Sequence, residues 1–364
     1  MTFEPFDALR ERADDLPTNQ PAARVATSEG AQEKARTRPA SDIRIPALDG
    51  LRGLMTIFVV VSHYFGEVPT GLSGFCVGWL AVLVFFVLSG YLVGRLIVEK
   101  MHSGNFLRVF YLRRVCRTFP TYFLAVILIM MLERHFAPAG WMDTDKRLPS
   151  WSYLVFAQNV FLVLKQSFGM HWLSPTWTLA LEEHFYLVAP FLLLLTPRRH
   201  WLKLLVGLAL VSLGVRAYCV LQGSLVMAPI ALLPAAGDVL FAGMILAVLV
   251  TSNAIPWDKY SLHFRVAPIV CLLLTALTQR LDGSVVGPWF EILGPFLIGI
   301  GAASLILMLV KGAPEAARFD YRILKFFGNI SYSVYLTHLT VLGLMHGLLL
   351  GRAPDIASPV QILV

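Results

Sequence analysis

The chain has 364 residues, 57% hydrophobic and 15% charged, with a mean hydropathy of +0.67 and a formal net charge of +7. A soluble domain carries roughly 25% charged and 45–50% apolar residues, and a globule of this size cannot bury the apolar excess found here. Composition therefore excludes a disordered chain, a coiled coil and an ordinary cytosolic enzyme. It leaves an all-α, polytopic membrane protein, in which the placement of basic residues informs more than their sum.

Residues 1–42 hold Pro5, Pro17, Pro21 and Pro39 among mixed charges, which predicts a solvated, disordered tail. No basic stretch leads into an apolar run there, so no cleaved export signal is expected, and the first apolar segment acts as start-transfer helix. Residues 43–364 form the membrane domain. A crossing needs about 20 mostly apolar residues. The predicted spans are 54–72, 76–97, 117–132, 174–196, 202–221, 230–251, 266–280, 289–310 and 328–350, a bundle of about nine or ten helices.

The first span, with its lead-in, reads ALDGLRGLMTIFVVVSHYF. Asp49, Arg52, Thr56 and His63 fall on one helical stripe. His63 follows Arg52 by eleven residues, about 16 Å of rise, which predicts a position near the bilayer centre. A charge at that depth costs at least a few kcal/mol, so such residues usually face an internal cavity. His63 is either a hydrogen-bonded core histidine or a functional one. The second span, GWLAVLVFFVLSGYLVGR, carries Ser89 and Gly90, which suit close helix packing; Ser89 is also a candidate substrate contact.

The segment FLRVFYLRRVCRTFPTYF places Arg113, Arg114 and Arg117 before the third span. Positive-inside topology accounts for basic residues here. The alternative is an anion clamp, since arginine forks bind phosphate and Arg114 and Arg117 are helix neighbours. Residues 151–165 are apolar but short and are expected to lie in the interface or to re-enter. In SPTWTLALEEHFYLVAPFLLLLT, Ser174 is expected to cap the helix and Pro190 to kink it. Thr178, Glu182 and Tyr186 share a face with Glu183 beside it, and Glu182 is predicted roughly 12 Å down, level with His63. A His63–Glu182 pair or a structural ion pair both fit. The last span, GNISYSVYLTHL, aligns Ser331, Tyr335 and His338.

With a cytosolic N-terminus, Arg95, Lys100, Arg108, Arg113, Arg114 and Arg117 fall inside. So do Arg198, Arg199 and Lys203, then Lys259 and Arg265, then Lys311, Arg318, Arg322 and Lys325. This holds only if 151–165 does not cross. The apolar ending SPVQILV reads as the start of a tenth span or as an interfacial tail. Cys76, Cys116, Cys219 and Cys271 lie far apart and read as small hydrophobes; no metal spacing occurs.

Five segments in order over residues 46–340 resemble the acyltransferase 3 family of integral membrane acyltransferases: LDGLRG followed by His63, GWLAVLVFFVLSGYL, FYLRRVCRTFP, WTLALEEHFYLVAP and GNISYSVYLTH. The resemblance implies a ten-helix domain that transfers an acyl group, commonly acetyl, from a coenzyme A thioester to a hydroxyl of a sugar or small acceptor. It makes His63 the central catalytic residue and points to Arg52, Arg114, Arg117 and Glu182. The chain departs from the family at Thr178, where serine is frequent, and at Ala236, two before Asp238, where arginine is frequent.

Together these readings imply cytosolic acyl-CoA as co-substrate, with no permanently bound cofactor, no metal and no nucleic acid. His63, Glu182 and Arg52 are the expected catalytic residues. Arg114, Arg117, Glu183, Tyr186, Ser89, Tyr335 and His338 are the expected substrate contacts. His63 serves as general base or acyl carrier, and Glu182 orients it. The expected home is the inner membrane, with a glycan or small hydroxyl acceptor. The rival reading is a secondary transporter, which also places His, Glu and Arg inside a bundle.

Overall fold

A computed structural model describes residues 45–66, 78–141, 148–223, 225–282 and 287–351. The tail at 1–42, Cys76 and the apolar ending at 352–364 lie outside these residues. All the regular structure described is helical. It comprises α1 (Pro46–Gly66), α2 (Gly78–Lys100), α3 (Phe106–Phe136), α4 (Ser150–Leu154), α5 (Gln158–Lys165), α6 (Thr176–Leu194), α7 (Trp201–Gln222), α8 (Ala228–Ala231), α9 (Leu233–Thr251), α10 (Trp257–Asp282), α11 (Pro288–Val310) and α12 (Arg322–Leu350), with short 3-10 turns between. Seven of these are long and apolar enough to cross a membrane, so the chain is a multi-pass membrane protein. α1 and α6 are the long helices that fall short. Asp49, Arg52 and His63 dilute the first; Glu182, Glu183 and His184 dilute the second.

Helix ends differ from the hydropathy reading, because backbone hydrogen bonding continues through polar residues where apolarity stops. α1 begins at Pro46 rather than 54, which brings Asp49 and Arg52 inside it. α3 begins at Phe106 rather than 117, so Arg113, Arg114 and Arg117 are helical. Ser174 is not a cap: Pro175 holds the N-cap position of α6 with no side-chain cap bond, and Ser174 belongs to the preceding turn. α6 runs on through Pro190 as one helix.

Two apolar clusters hold the bundle. One gathers Leu51 and Val59 of α1, Val87 and Tyr91 of α2, Phe185 of α6, Leu240 of α9 and Ile306 of α11. The other joins Tyr122 and Val126 of α3 to Tyr153, Leu162, Trp172 and Leu179. α6 belongs to both. The stretch around 151–165 forms two helices too short to cross; it turns Tyr153, Phe156 and Leu162 into the second cluster and leaves Trp151, Val155, Val160 and Leu164 exposed. Asn159, fully buried, donates from its side-chain amide to the carbonyls of Trp177 (2.9 Å) and Ala231 (2.8 Å), tying this hairpin to the start of α6.

Close approach of backbones fixes the remaining geometry. A Cβ on Gly53 would stand 1.9 Å from the Leu324 carbonyl oxygen, and one on Gly328 would stand 2.0 Å from that of Asp49. The glycines of LDGLRG and GNIS thus let α1 and α12 touch main chain to main chain, which only a residue without a side chain permits. Gly90 and Gly243 do the same for α2 and α9, at 2.0 Å from Leu240 O and 2.1 Å from Val87 O. Of the described cysteines, Cys219 and Cys271 are buried and Cys116 is exposed.

Candidate functional site

The stripe on α1 forms as its spacing predicts. Leu48, Leu51, Met55 and Val59 face the core, while Arg52, Thr56 and His63 lie to one side. The Thr56 hydroxyl donates to the Arg52 carbonyl at 2.8 Å. His63 sits in the last turn of α1, beyond its midpoint.

A cavity of about 920 Å³, partly open to the surroundings, lies among α1, α2, α3, α6 and α12. Arg52, Arg114 and Arg117 line it together with Glu182, Glu183, Tyr186, Ser89, Thr178, Ser331, Tyr332 and Tyr335. Eight of the ten residues expected in catalysis or substrate contact therefore meet here; the exceptions are His63 and His338. Three guanidinium groups face two carboxyls, and partial burial strengthens the interactions of Arg52 and Arg114, while Arg117 stands exposed.

The polar groups form a chain. The Arg114 guanidinium lies over the Tyr186 ring, 4.3 Å from its centroid. The Tyr186 hydroxyl donates to Glu182 Oε2 at 3.0 Å and bonds the Ser89 hydroxyl. Ser89 is thus a wall of the cavity, while its neighbour Gly90 does the packing. Higher up, the Thr178 hydroxyl donates to the Pro175 carbonyl at 3.0 Å. Thr178 Oγ1 also donates to the Tyr335 hydroxyl oxygen, at 2.8 Å, so the Tyr335 O–H is not used in this contact. Tyr335 stands thirteen residues, about 20 Å, into α12, so α6 starts inside the bundle and not at its end.

Beyond Tyr335 stand two histidines. The Tyr335 and His338 ring centroids are 5.8 Å apart, and those of His338 and His63 are 4.8 Å apart. His338 Nδ1 faces the Tyr335 carbonyl at 2.9 Å, and His63 Nδ1 faces the Val59 carbonyl at 2.9 Å. Carbonyls only accept, so each neutral ring carries its proton on Nδ1. His338 Nε2 is then an acceptor, 3.3 Å from His63 Nδ1, and the lone pair of His63 is on Nε2.

This changes the expected roles. Glu182 bonds Tyr186 and lies within electrostatic range of Arg114 and Arg52. The side chain against His63 is His338, not Glu182. The cause is that α6 enters the bundle one turn below the histidines, which sets Glu182 lower than its place in the sequence suggests. His63 itself is outside the cavity lining, behind Tyr335.

Sequence reasoning passed over Arg216 of α7. Its guanidinium pairs with Asp238 of α9, both almost wholly buried. The signal was present, a single charge in an apolar span.

Residues 45–364 match the family model described as an acyltransferase domain. Among curated relatives, a Staphylococcus aureus (strain COL) protein provisionally named an O-acetyltransferase is 26% identical over 344 residues, 83% of this chain and 51% of the relative. The peptidoglycan O-acetyltransferase OatA of Listeria monocytogenes is 28% identical over 190 residues, 49% of this chain and 29% of the relative. The O-acetyltransferase OatA of Staphylococcus aureus (strain NCTC 8325 / PS 47) is 30% identical over 183 residues, 47% and 29%. The chain spans about half the length of the curated relatives it matches over most of its own length. No solved structure matches it.

Proposed function

Because the chain belongs to the acyltransferase 3 family, we propose that it is an O-acetyltransferase that moves acetyl from cytosolic acetyl-CoA to a hydroxyl of a glycan. It does so in the inner membrane, with its N-terminus cytosolic. The observation that carries this reading is the polarity of the cavity, with arginines at one end and a histidine pair behind the other. Arg114, Arg117 and Arg52 bind the phosphates and ribose of the donor, and its flexible arm carries the thioester toward Tyr335 and Thr178.

His63 acts as general base through Nε2. The acceptor oxygen attacks the thioester carbonyl as its proton passes to His63; the C–S bond breaks, and that proton restores the CoA thiol. His338 positions His63: its Nε2 shares the His63 Nδ1–H with the Val59 carbonyl and steadies the imidazolium that forms. Tyr335 donates toward the carbonyl oxygen as negative charge develops. Glu182, held by Tyr186 and Ser89, keeps the arginines spread around the donor. Glu183 adds a second carboxylate to that cluster. The glycan class is taken from the Listeria relative, whose name specifies peptidoglycan.

The test is turnover of labelled acetyl-CoA by purified protein in vesicles supplied with glycan. His63→Ala is expected to abolish transfer while donor binding persists. Full turnover by that variant, or an acetyl group trapped on His63, overturns the general-base assignment.

A further inference from the structure

A second cavity lies apart from the first, among α7, α9, α10 and α11, with about 980 Å³ of empty space partly open to the surroundings. Its walls are apolar except for Ser304 and Asp238. The Ser304 hydroxyl is spent on the Ile300 carbonyl at 3.0 Å, and the Asp238 charge is met by Arg216. Asp238 Oδ1 accepts no hydrogen bond but is itself buried, so the wall presents almost no polar surface to the space. The space exists because α10 packs along α11 and leaves a gap toward α7; most apolar residues of α10 point outward, among them Leu273 at 65% exposure.

Depth and charge narrow the occupant. On α9 the lining runs from Asp238 to Leu249, eleven residues, or about 16 Å of rise. Half of a roughly 30 Å hydrocarbon core is about 15 Å, the reach of one leaflet's acyl chains. The shallow end lies at Ile255 and Phe264, where α9 gives way to α10. Lys203 is exposed at this end, three and seven residues before Val206 and Leu210, hence on the face of α7 that lines the cavity. Exposed Lys259 and Asp258 open α10 nearby, and Arg265 is paired with Glu315 at 3.6 Å. The free charge at the mouth is thus mainly cationic. Left empty, the apolar lining would forfeit dispersion contacts, and a hydrocarbon chain recovers them.

We propose that this cavity holds one acyl chain of an anionic phospholipid from the leaflet at the basic end of the bundle, with the headgroup phosphate at Lys203. The site is independent of the acetyl-transfer reading. It concerns an annular lipid taken into the fold.

The test uses the full chain in vesicles doped with phosphatidylglycerol or phosphatidylcholine bearing a photoreactive group in one acyl chain, followed by peptide mass spectrometry. Cross-links are expected to concentrate on the lining of α9 and α11, above those on outward Leu273 and Leu277. Ala303→Phe, or Ala242→Leu if the first does not fold, is expected to drop the lining signal to that outward background. Lys203→Glu is expected to remove the preference for phosphatidylglycerol while leaving Leu273 labelling unchanged. Even labelling of lining and outward residues, labelling indifferent to Ala303→Phe, or a headgroup preference indifferent to Lys203→Glu overturns the proposal. So does cross-linking of these residues to a second copy of the chain.

Discussion

Gly328→Ala is the sharpest test of how the histidine pair is held. Its Cβ would lie 2.0 Å from the Asp49 carbonyl oxygen, and real contacts are not found below 3.0 Å, so α1 and α12 must separate by at least about 1 Å. Gly53 and Gly328 each precede their histidine, His63 or His338, by ten residues, about 15 Å of helix. The His63–His338 contact is already 3.3 Å, at the long edge of a hydrogen bond, so a further 1 Å breaks it. A 1 Å misplacement of this kind costs on the order of 100-fold in rate. The expected result is a kcat lowered by about 100-fold, with a smaller change in KM for acetyl-CoA, because Arg114, Arg117 and Glu182 are on α3 and α6. The assay is steady-state transfer by purified protein, with circular dichroism confirming helicity. Gly207→Ala, where an added Cβ meets nothing within 4 Å, is the control and is expected to be silent. A folded Gly328→Ala protein with full kcat would refute the claim that this glycine contact sets the pair.

Arg114→Ala is expected to raise KM for acetyl-CoA while leaving kcat within a few-fold, read from substrate titrations; Arg114→Lys restores the charge but not the planar stacking on Tyr186, so it rescues only in part. Tyr186→Phe keeps the ring beneath Arg114 but removes the bonds to Glu182 and Ser89. It is expected to cost about 1 kcal/mol of stability per hydrogen bond, seen as a lower thermal midpoint, and to weaken donor binding. Arg216→Met alone leaves Asp238 buried without its partner and is expected to destabilise by about 3–5 kcal/mol, whereas Arg216→Met with Asp238→Leu recovers most of that loss in denaturation measurements.

Much of the bundle is legible in hydropathy, because a spanning helix needs little more than a run of apolar residues. The parts that are not legible depend on contacts between distant segments. Asp49 and Arg52 belong to α1 although a hydropathy window starts the helix later; their carbonyls bond within the helix whatever their side chains cost. The stripe of Thr178, Glu182 and Tyr186 can be read from spacing alone, and it lines the cavity as read. The level of that stripe cannot. It depends on residues 150–173 turning back into the bundle, anchored by Asn159, so that α6 starts beside Tyr335. The pairing of His63 with His338 rather than Glu182 follows from this shift. It also needs α1 to lie against α12, which no local pattern encodes. The glycines that permit the contact are visible in LDGLRG and GNIS, but their partners are backbone atoms more than 250 residues away.

The two long helices that fail as membrane spans are the two that supply His63, Arg52, Glu182 and Glu183. In a bilayer an ionisable side chain is tolerated only if it turns away from hydrocarbon. α1 packs against α2 and α12, and α6 joins both apolar clusters, so Arg52, Glu182 and Glu183 face the cavity while His63 meets His338. The opposite pattern holds for α10, which carries few charges past its first turns and leaves its leucines exposed. Hydropathy and enclosure are thus complementary here. Where a segment is too polar to stand in lipid, the fold surrounds it, and the polarity that demands enclosure is what lines the interior cavity with charge.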